Sequence, residues 1–287
     1  MMTFIVNPAA GNGYALKAEE LILAEQKRRG ASWHIVHTEH PGHATELAAQ
    51  AVAQGAEAVV AVGGDGTAFE VACGLMDSGT PLGIIPAGTG NDFIKSSGIP
   101  KKPEEALARL LSAKPHAVDV CQLNDRMFLN VCGAGFDVTV LDYTIDAKKH
   151  FHGIVPYLIG LFKGISHYKP IRVRVTVDGQ VQEKEALICA VANGRFIGGG
   201  IPICPVADIT DGKLNMVMVD HKPRWMIPFY LPALMMGRVL KFKITQHILC
   251  ERVEIISPGM RLQADGEIMT MDRADISISR GKLMLYC

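Results

Sequence analysis

The chain has 287 residues, with Lys plus Arg and Asp plus Glu at 29 each and no formal net charge. Length of this order supports a core without disulfide or metal staples, and the charge balance excludes a general polyanion binder, so nucleic acid is not expected as a partner. With 29 glycines, 48% hydrophobic residues and few aromatics, the composition is that of a compact enzyme rich in tight turns.

The first third alternates strands with helices. Thr3-Phe4-Ile5-Val6 is an apolar run ended by Asn7-Pro8, and Tyr14 to Arg29 is rich in Ala, Leu, Glu and Lys before Gly30. A second strand, Trp33 to His37, precedes a helix in which Leu47, Ala48, Ala51 and Val52 recur at helical spacing. Ala58 to Val62 is apolar throughout, as in a parallel strand covered on both faces. A helix from about Ala68, a strand at Leu82 to Ile85 and a helix from Pro103 to Ser112 continue the pattern. This predicts a doubly wound α/β sheet with ligands beyond the carboxyl ends of its strands. Past Asp119 the texture changes. Ile171 to Val177 alternates strictly, Asp178-Gly179 is a turn signal, and Gln180 to Ala192 resumes as a strand. Further strands are expected at Val217–Val219, Phe242–Thr245, Val253–Ile256 and Ile276–Ile278. The expected organisation is an N-terminal α/β nucleotide-binding domain over 1–119 and a C-terminal antiparallel β-sandwich domain over 120–287, the closing residues being free to return to the first domain.

Met1 to Pro8 lacks the basic and apolar regions of a signal peptide, and the seven cysteines are scattered singly without a C-x-x-C pair, which predicts reduced core thiols in the cytoplasm. The longest apolar runs, Ile154 to Phe162 and Trp225 to Gly237, are shorter than the roughly 20 residues of a spanning helix and contain prolines. A soluble protein is expected.

Three glycine-rich segments each follow a strand: Asn7-Pro8-Ala9-Ala10-Gly11-Asn12-Gly13, Gly63-Gly64-Asp65-Gly66-Thr67, and Pro86-Ala87-Gly88-Thr89-Gly90-Asn91-Asp92. Glycines let the backbone approach a pyrophosphate, and a helix beginning after Thr67 would aim its free N–H groups at phosphate oxygens. Neither a Walker A loop nor a G-x-G-x-x-G spacing occurs. Asp65 would repel a bare phosphate, so an intervening cation is expected, and magnesium suits one or two carboxylates plus phosphates.

Gly63-Gly64-Asp65-Gly66-Thr67 with Glu70-Val71 and Gly74-Leu75, followed by Pro86 to Phe93, resembles the catalytic domain of the diacylglycerol kinase family, closest to its soluble bacterial members. The likeness extends to Asn7-Pro8-Ala9-Ala10-Gly11, Thr38 with Gly42-His43-Ala44, Asp211-Gly212-Lys213-Leu214 and Ala264-Asp265-Gly266-Glu267, in the right order from Phe4 to Glu267. The Gly-Gly-Asp-Gly-Thr string is shared with NAD kinases, so the Gly-Thr-Gly-Asn-Asp-Phe segment discriminates. The resemblance implies transfer of the ATP γ-phosphoryl group to a lipid hydroxyl such as that of diacylglycerol, with Mg2+. It assigns nucleotide contacts to Asn7, Thr38, Gly63, Gly64, Asp65, Gly66, Thr67, Glu70, Gly88, Thr89, Gly90 and Asn91. Asp65, Asp92 and Asp119 match its acidic set around the catalytic magnesium, and Glu267 its proton acceptor, with Asp65 the alternative. A second, structural magnesium would be held by Asp211, with Asp208 and Lys213 offering backbone oxygens, against the reading of a plain hairpin turn. Asp265 would orient Glu267, although Ala-Asp-Gly-Glu is also a β-turn sequence. The lipid hydroxyl is expected to enter between the two domains. The other readings are a NAD kinase-like transferase acting on a soluble hydroxyl and a nucleotide-binding regulator without turnover.

His34, His37, His40 and His43 recur every third residue, but a zinc role is discounted because the first pair lies on a strand and the others enter a Pro-Gly loop. Asp142, Asp146, Lys148, Lys149 and His150 read as a solvated helix or loop. Trp225 to Met236 is either a buried helix or an apolar lip, and Lys222, Arg224, Arg238, Lys241 and Lys243 beside it suit anionic headgroups. Membrane contact is therefore expected to be peripheral and reversible, at the inner surface, and a homodimer is left open.

Overall fold

The computed structural model describes residues 1–151 and 155–287, so Ile154 at the head of the first apolar run lies outside the described residues. The chain divides into two compact units, Met1–Val120 with Ile209–Gly212 and Ser279–Cys287, and Cys121–Asp208 with Lys213–Ile278.

In the first unit, strands β1 (Met2–Val6), β2 (His34–His37), β3 (Ala58–Gly63) and β4 (Leu82–Pro86) alternate with helices α1 (Tyr14–Arg29), α2 (His43–Ala53), α3 (Asp65–Leu75), α4 (Asp92–Ser97) and α5 (Pro103–Leu110). All pairings are parallel in the order β2-β1-β3-β4, and Leu285 near the C-terminus pairs in parallel with Leu82. Every residue of β3 and β4 is buried, because helices cover both faces: α1 packs with α5, and α2 with α3. The ends of α5 follow from its sequence, with Pro103 in the first turn, Glu104 and Glu105 at the positive end of the dipole and Arg109 at the negative one. Helix α3 starts at Asp65, three residues before the expected Ala68, and α4 has no counterpart in the sequence reading. A six-residue helix offers too few turns for a periodic signal.

The second unit is antiparallel. After β5 (Pro115–Leu123) come β6 (Arg126–Phe128), β7 (Val131–Gly135), α6 (Phe136–Lys148), α7 (Val155–His167), β8 (Ile171–Val177), β9 (Gln180–Ala192), β10 (Leu214–Asp220), α8 (Ile227–Met235), β11 (Thr245–Cys250), β12 (Arg252–Ala264) and β13 (Glu267–Tyr286). The order is β11-β10-β9-β7-β12-β13, with β8 paired to both β9 and β12. The two long strands β9 and β12 turn the sheet over into a sandwich: each pairs with β8 along one half and with β7 along the other. Strand β9 is buried on both faces over its second half. Ala186, Cys189 and Val191 join a core with Val175, Met216 and Leu262, while Leu187, Ala190 and Ala192 join another with Phe136, Tyr168 and Val217 under the helices.

The strand expected at Phe242–Thr245 is not formed. Val239–Lys241 is a single 3-10 turn, and β11 begins only at Thr245. Phe242 instead packs edge-to-face on Tyr230 of α8, with ring centroids 5.1 Å apart. The Asp142 to His150 segment is helical to Lys148, with Asp142 paired to Arg261 and Asp146 to Lys149. Of the seven cysteines, Cys121, Cys132, Cys189, Cys204 and Cys250 are buried and all are free thiols.

Candidate active site

The three glycine segments of the first unit meet at the carboxyl ends of β1, β3 and β4. A Cβ on Gly88 would lie 2.3 Å from the Cα of Gly64, and one on Gly11 would lie 2.2 Å from the carbonyl oxygen of Ala87. Real contacts are never so short, so only glycine permits this convergence. Backbone bonds tie the segments together, Ala87 N–H to Gly63 O at 2.7 Å and Asn7 N–H to Val62 O at 3.0 Å, and Asn7 Nδ2 donates to Thr67 Oγ1 at 3.0 Å.

Asp65, Gly66 and Thr67 form the first turn of α3, so the motif read as a loop supplies a helix N-terminus with its unsatisfied N–H groups. The carboxylate of Asp65 accepts from Asp92 N–H at 3.0 Å and Phe93 N–H at 3.1 Å, which holds the second motif against the first. Burial, reinforced by the neighbouring Asp92 carboxylate and opposed by those N–H bonds and by Lys95, pushes its pKa up. Asp92 is buried and pairs with Lys95 at 3.0 Å. Asn91 donates to Gly88 O at 2.8 Å, while its Oδ1 is buried without a partner. Two carboxylates and an orphaned amide oxygen are the hard oxygen donors that a magnesium ion takes, and a divalent charge beside them would offset their repulsion. The residues fit the ion.

Other assigned positions are more structural. Thr38 is half-buried, its N–H donating to Val6 O at 2.9 Å, and Thr89 and Gly66 are open to solvent. The Glu70 carboxylate accepts from Ala44 N–H at 3.2 Å and so caps α2. Asp119 is 2% exposed and accepts from Gly212 N–H and Gly281 N–H, both at 2.7 Å. It secures the 209–212 and 279–287 segments, a role its place in a magnesium set did not suggest. Asp208 and Asp211 are exposed, and the Lys213 ammonium pairs with Glu251 at 2.7 Å, leaving its backbone oxygen as its donor for a cation.

In the second unit Asp265 and Gly266 form the tip of the β12–β13 hairpin, with φ of +48° and +91°, the signs of a type I′ turn. The Asp265 carboxylate accepts from the N–H groups of Leu129, Asn130 and Val131 at 2.6, 3.0 and 3.1 Å. It thus fixes the turn to the segment entering β7, and Gln263 Oε1 accepts from Gly266 N–H at 3.0 Å. Glu267 follows directly, exposed, and among the described residues no hydrogen bond or ion pair engages its carboxylate. A carboxylate left open on a rigid hairpin can receive a proton from an approaching hydroxyl.

Two family descriptions match the chain: the diacylglycerol kinase catalytic domain over residues 1–123 and the YegS C-terminal NAD kinase beta sandwich-like domain over 130–287. A diacylglycerol kinase of Mycobacterium tuberculosis is 31% identical over 96% of this chain and 91% of its own. The chain belongs to the diacylglycerol kinase family. An Enterobacter protein named "Probable lipid kinase YegS-like" is 33% identical over 94% of this chain and 90% of its own. A Bacillus anthracis structure, solved as that of a candidate diacylglycerol kinase, superposes with a TM-score of 0.80 at 27% identity, covering 99% of this chain and 96% of the other. The diacylglycerol kinase family member described here is therefore a kinase, with the N-terminal α/β and C-terminal β-sandwich domains of its relatives.

Reading the sequence of this kinase missed Lys95, Gln263 and Asp137. Lys95 had a signal, its i,i+3 spacing from Asp92. Asp137 lies in the first turn of α6 with its carboxylate buried, and burial, opposed by Val138 N–H and the Gln263 amide, pushes its pKa up to about 6. A Cβ on Gly133 would come within 2.2 Å of its Oδ2, so the Gly133-Ala134-Gly135-Phe136-Asp137 run made room for it. His40, His43 and Glu46 do approach one another, with imidazoles stacked at 4.7 Å. His43 starts α2 rather than lying in a loop, and its Nδ1 already accepts from Glu39 N–H at 3.1 Å. A neutral imidazole so bonded carries its proton on Nε2, which leaves that nitrogen no lone pair for a metal.

Proposed function

We propose that this kinase transfers the γ-phosphoryl group of ATP to the hydroxyl of a diacylglycerol-like lipid, giving ADP and a phosphatidic acid-like product. The observation that carries the reading is the contact of Gly64 with Gly88 at the start of α3, a backbone approach that a Cβ on Gly88 would break. Backbone N–H groups there suit the phosphates, with Asn7 and Thr67 bracing the cradle and Gly63, Gly66, Thr89 and Gly90 completing it. Asp65 and Asp92 would hold magnesium, which when bound neutralises phosphate charge; Asp119 and, for a second ion, Asp208, Asp211 and Lys213 complete the assignment. The acceptor oxygen attacks the γ-phosphorus, the bond to the β,γ-bridging oxygen breaks, and the hydroxyl proton passes to Glu267. A second reading, a NAD kinase-like transfer to a soluble hydroxyl, is favoured by one observation, the NAD kinase-like description of the C-terminal domain.

Radiolabelled ATP offered with diacylglycerol, a sphingoid base and NAD in parallel separates the two. Label is expected in the lipid; label confined to NADP would transfer the assignment to the second reading. Glu267→Gln is expected to lower kcat by about 10²- to 10⁴-fold with nucleotide affinity close to wild type, as for loss of a general base. Unchanged kcat would remove Glu267 from the mechanism.

A further inference from the structure

The stretch from His221 to Cys250 contains Lys222, Arg224, Arg238, Lys241 and Lys243 and no Asp or Glu, in a chain whose charges balance only overall. Many other cations of the second unit are matched, as Arg172 with Glu185, Arg174 with Glu183, Lys213 with Glu251, Arg261 with Asp142 and Arg273 with Glu254. Among the described residues Lys222, Arg238, Lys241 and Lys243 form no ion pair.

Helix α8 lies within this stretch and is apolar all round. Ile227 is buried, and Leu231 and Leu234 pack beside it on the core shared with Tyr168 and Val217, so one face is anchored. The other face and the residues flanking the helix meet water: Trp225 in the turn before it is 69% exposed, Phe229 75%, Met235 59% and Met236 just after it 60%. The platform is firmly held, since Arg224 donates to Ser166 O at 2.8 Å and to Tyr168 O at 3.1 Å. Phe242 packs on Tyr230 of α8, and its exposed neighbours Lys241 and Lys243 therefore flank the same helix. The buried-helix alternative for Trp225 to Met236 is thus corrected: half the helix is an exposed apolar ridge bordered by unpaired cations.

We propose that this ridge is a docking surface for an anionic phospholipid bilayer, Trp225 and Phe229 entering the interfacial layer and Lys222, Arg238, Lys241 and Lys243 meeting the headgroups. Charge decides the occupant. A second copy packed two-fold on this face would set the same stretch, without Asp or Glu, against itself and bring cation to cation, whereas a surface of phosphate esters neutralises them, and interfacial aromatics beside lysines are the combination that such a surface retains. The inference deepens the lipid-acceptor reading by naming where the acceptor's own phase is met, but it is read from binding rather than turnover.

The test is co-sedimentation of the full chain with vesicles of phosphatidylcholine, or of phosphatidylcholine and phosphatidylglycerol in equal parts. Binding to the mixed vesicles is expected, weakened by about 0.5 M salt, which screens surface charge. Trp225→Ala with Phe229→Ala, and separately Lys241→Glu with Lys243→Glu, are each expected to weaken it by roughly tenfold or more at unchanged Tm. In a Trp33→Phe background, which leaves Trp225 as the only tryptophan, its emission is expected to shift to the blue on adding mixed vesicles, a readout independent of the substitutions. Wild-type binding in the double variants, no blue shift, or a dimer in sedimentation that Trp225→Ala with Phe229→Ala dissolves would overturn the proposal. Vesicle binding by a chain that phosphorylates no lipid would leave docking standing and remove the lipid-kinase reading; phosphorylation of micellar lipid without vesicle binding would do the reverse.

Discussion

Asp137 carries a cost that the fold offsets only in part. Its carboxylate is buried, and its folded pKa, raised by burial from 3.8 to about 6 against the lowering by Val138 N–H and the Gln263 amide, means the native state prefers the protonated acid. The stabilising preference is present below pH 4 and is lost as pH rises through about 6. Asp137→Asn is expected to raise stability at neutral pH by about 2 to 3 kcal/mol and to flatten the decline between pH 4 and 6. Thermal melts of both proteins from pH 4 to 8 check this; parallel curves would show that Asp137 is not the titrating group. At Asp65 two N–H groups and Lys95 oppose the effect of burial, while the neighbouring Asp92 carboxylate adds to it. Those residues were legible by motif, but the bond from Asp65 to the backbone 27 residues on was not.

Helices and turns in this kinase do more than connect. The sequence Gly63 to Thr67 reads as a loop, yet three of its five residues form helix, because Gly64 provides the extended N-cap that lets Asp65 enter the first turn. The β12–β13 hairpin satisfies both sequence readings at once: Asp265-Gly266 is a turn, and Asp265 also anchors it through three N–H bonds. Asp265→Ala strands three partly buried donors, and its φ of +48° suits Ala less well. The expected loss is about 2 to 4 kcal/mol, read as a lower denaturation midpoint in urea. A midpoint within error of wild type would return Asp265 to a mere turn residue.

Across the whole molecule, the chain crosses between its two units four times, after Val120, Asp208, Gly212 and Ile278. The last crossing returns Ser279–Cys287 to the first unit, where Leu283 and Leu285 are 2% and 0% exposed, Leu285 pairs with Leu82, and Gly281 bonds to Asp119. Each leucine contributes about 2 to 5 kcal/mol by analogy with core truncations, against a typical total of about 5 to 15. Deleting residues 279–287 is therefore expected to unfold the first unit while the second retains its strand signal in circular dichroism. An unchanged α-helical signal and melting curve would show that this return is dispensable.

By itself the sequence determined the alternating elements of the first unit, the strictly patterned β8–β9 hairpin, the three glycine segments and, through their order, the family. These are local properties: periodicity, turn chemistry and motif spacing act over a few residues. Tertiary structure alone decided that Glu70 caps α2, that Asp119 holds segments 93 and 162 residues away, that Asp137 is buried, and that Trp225 and Phe229, in α8 and the turn before it, meet water. An apolar helix reads the same whether a partner covers one face or all of them, and a carboxylate reads the same whether it meets a cation, an N–H or nothing, because burial and pairing are set by residues distant in the chain.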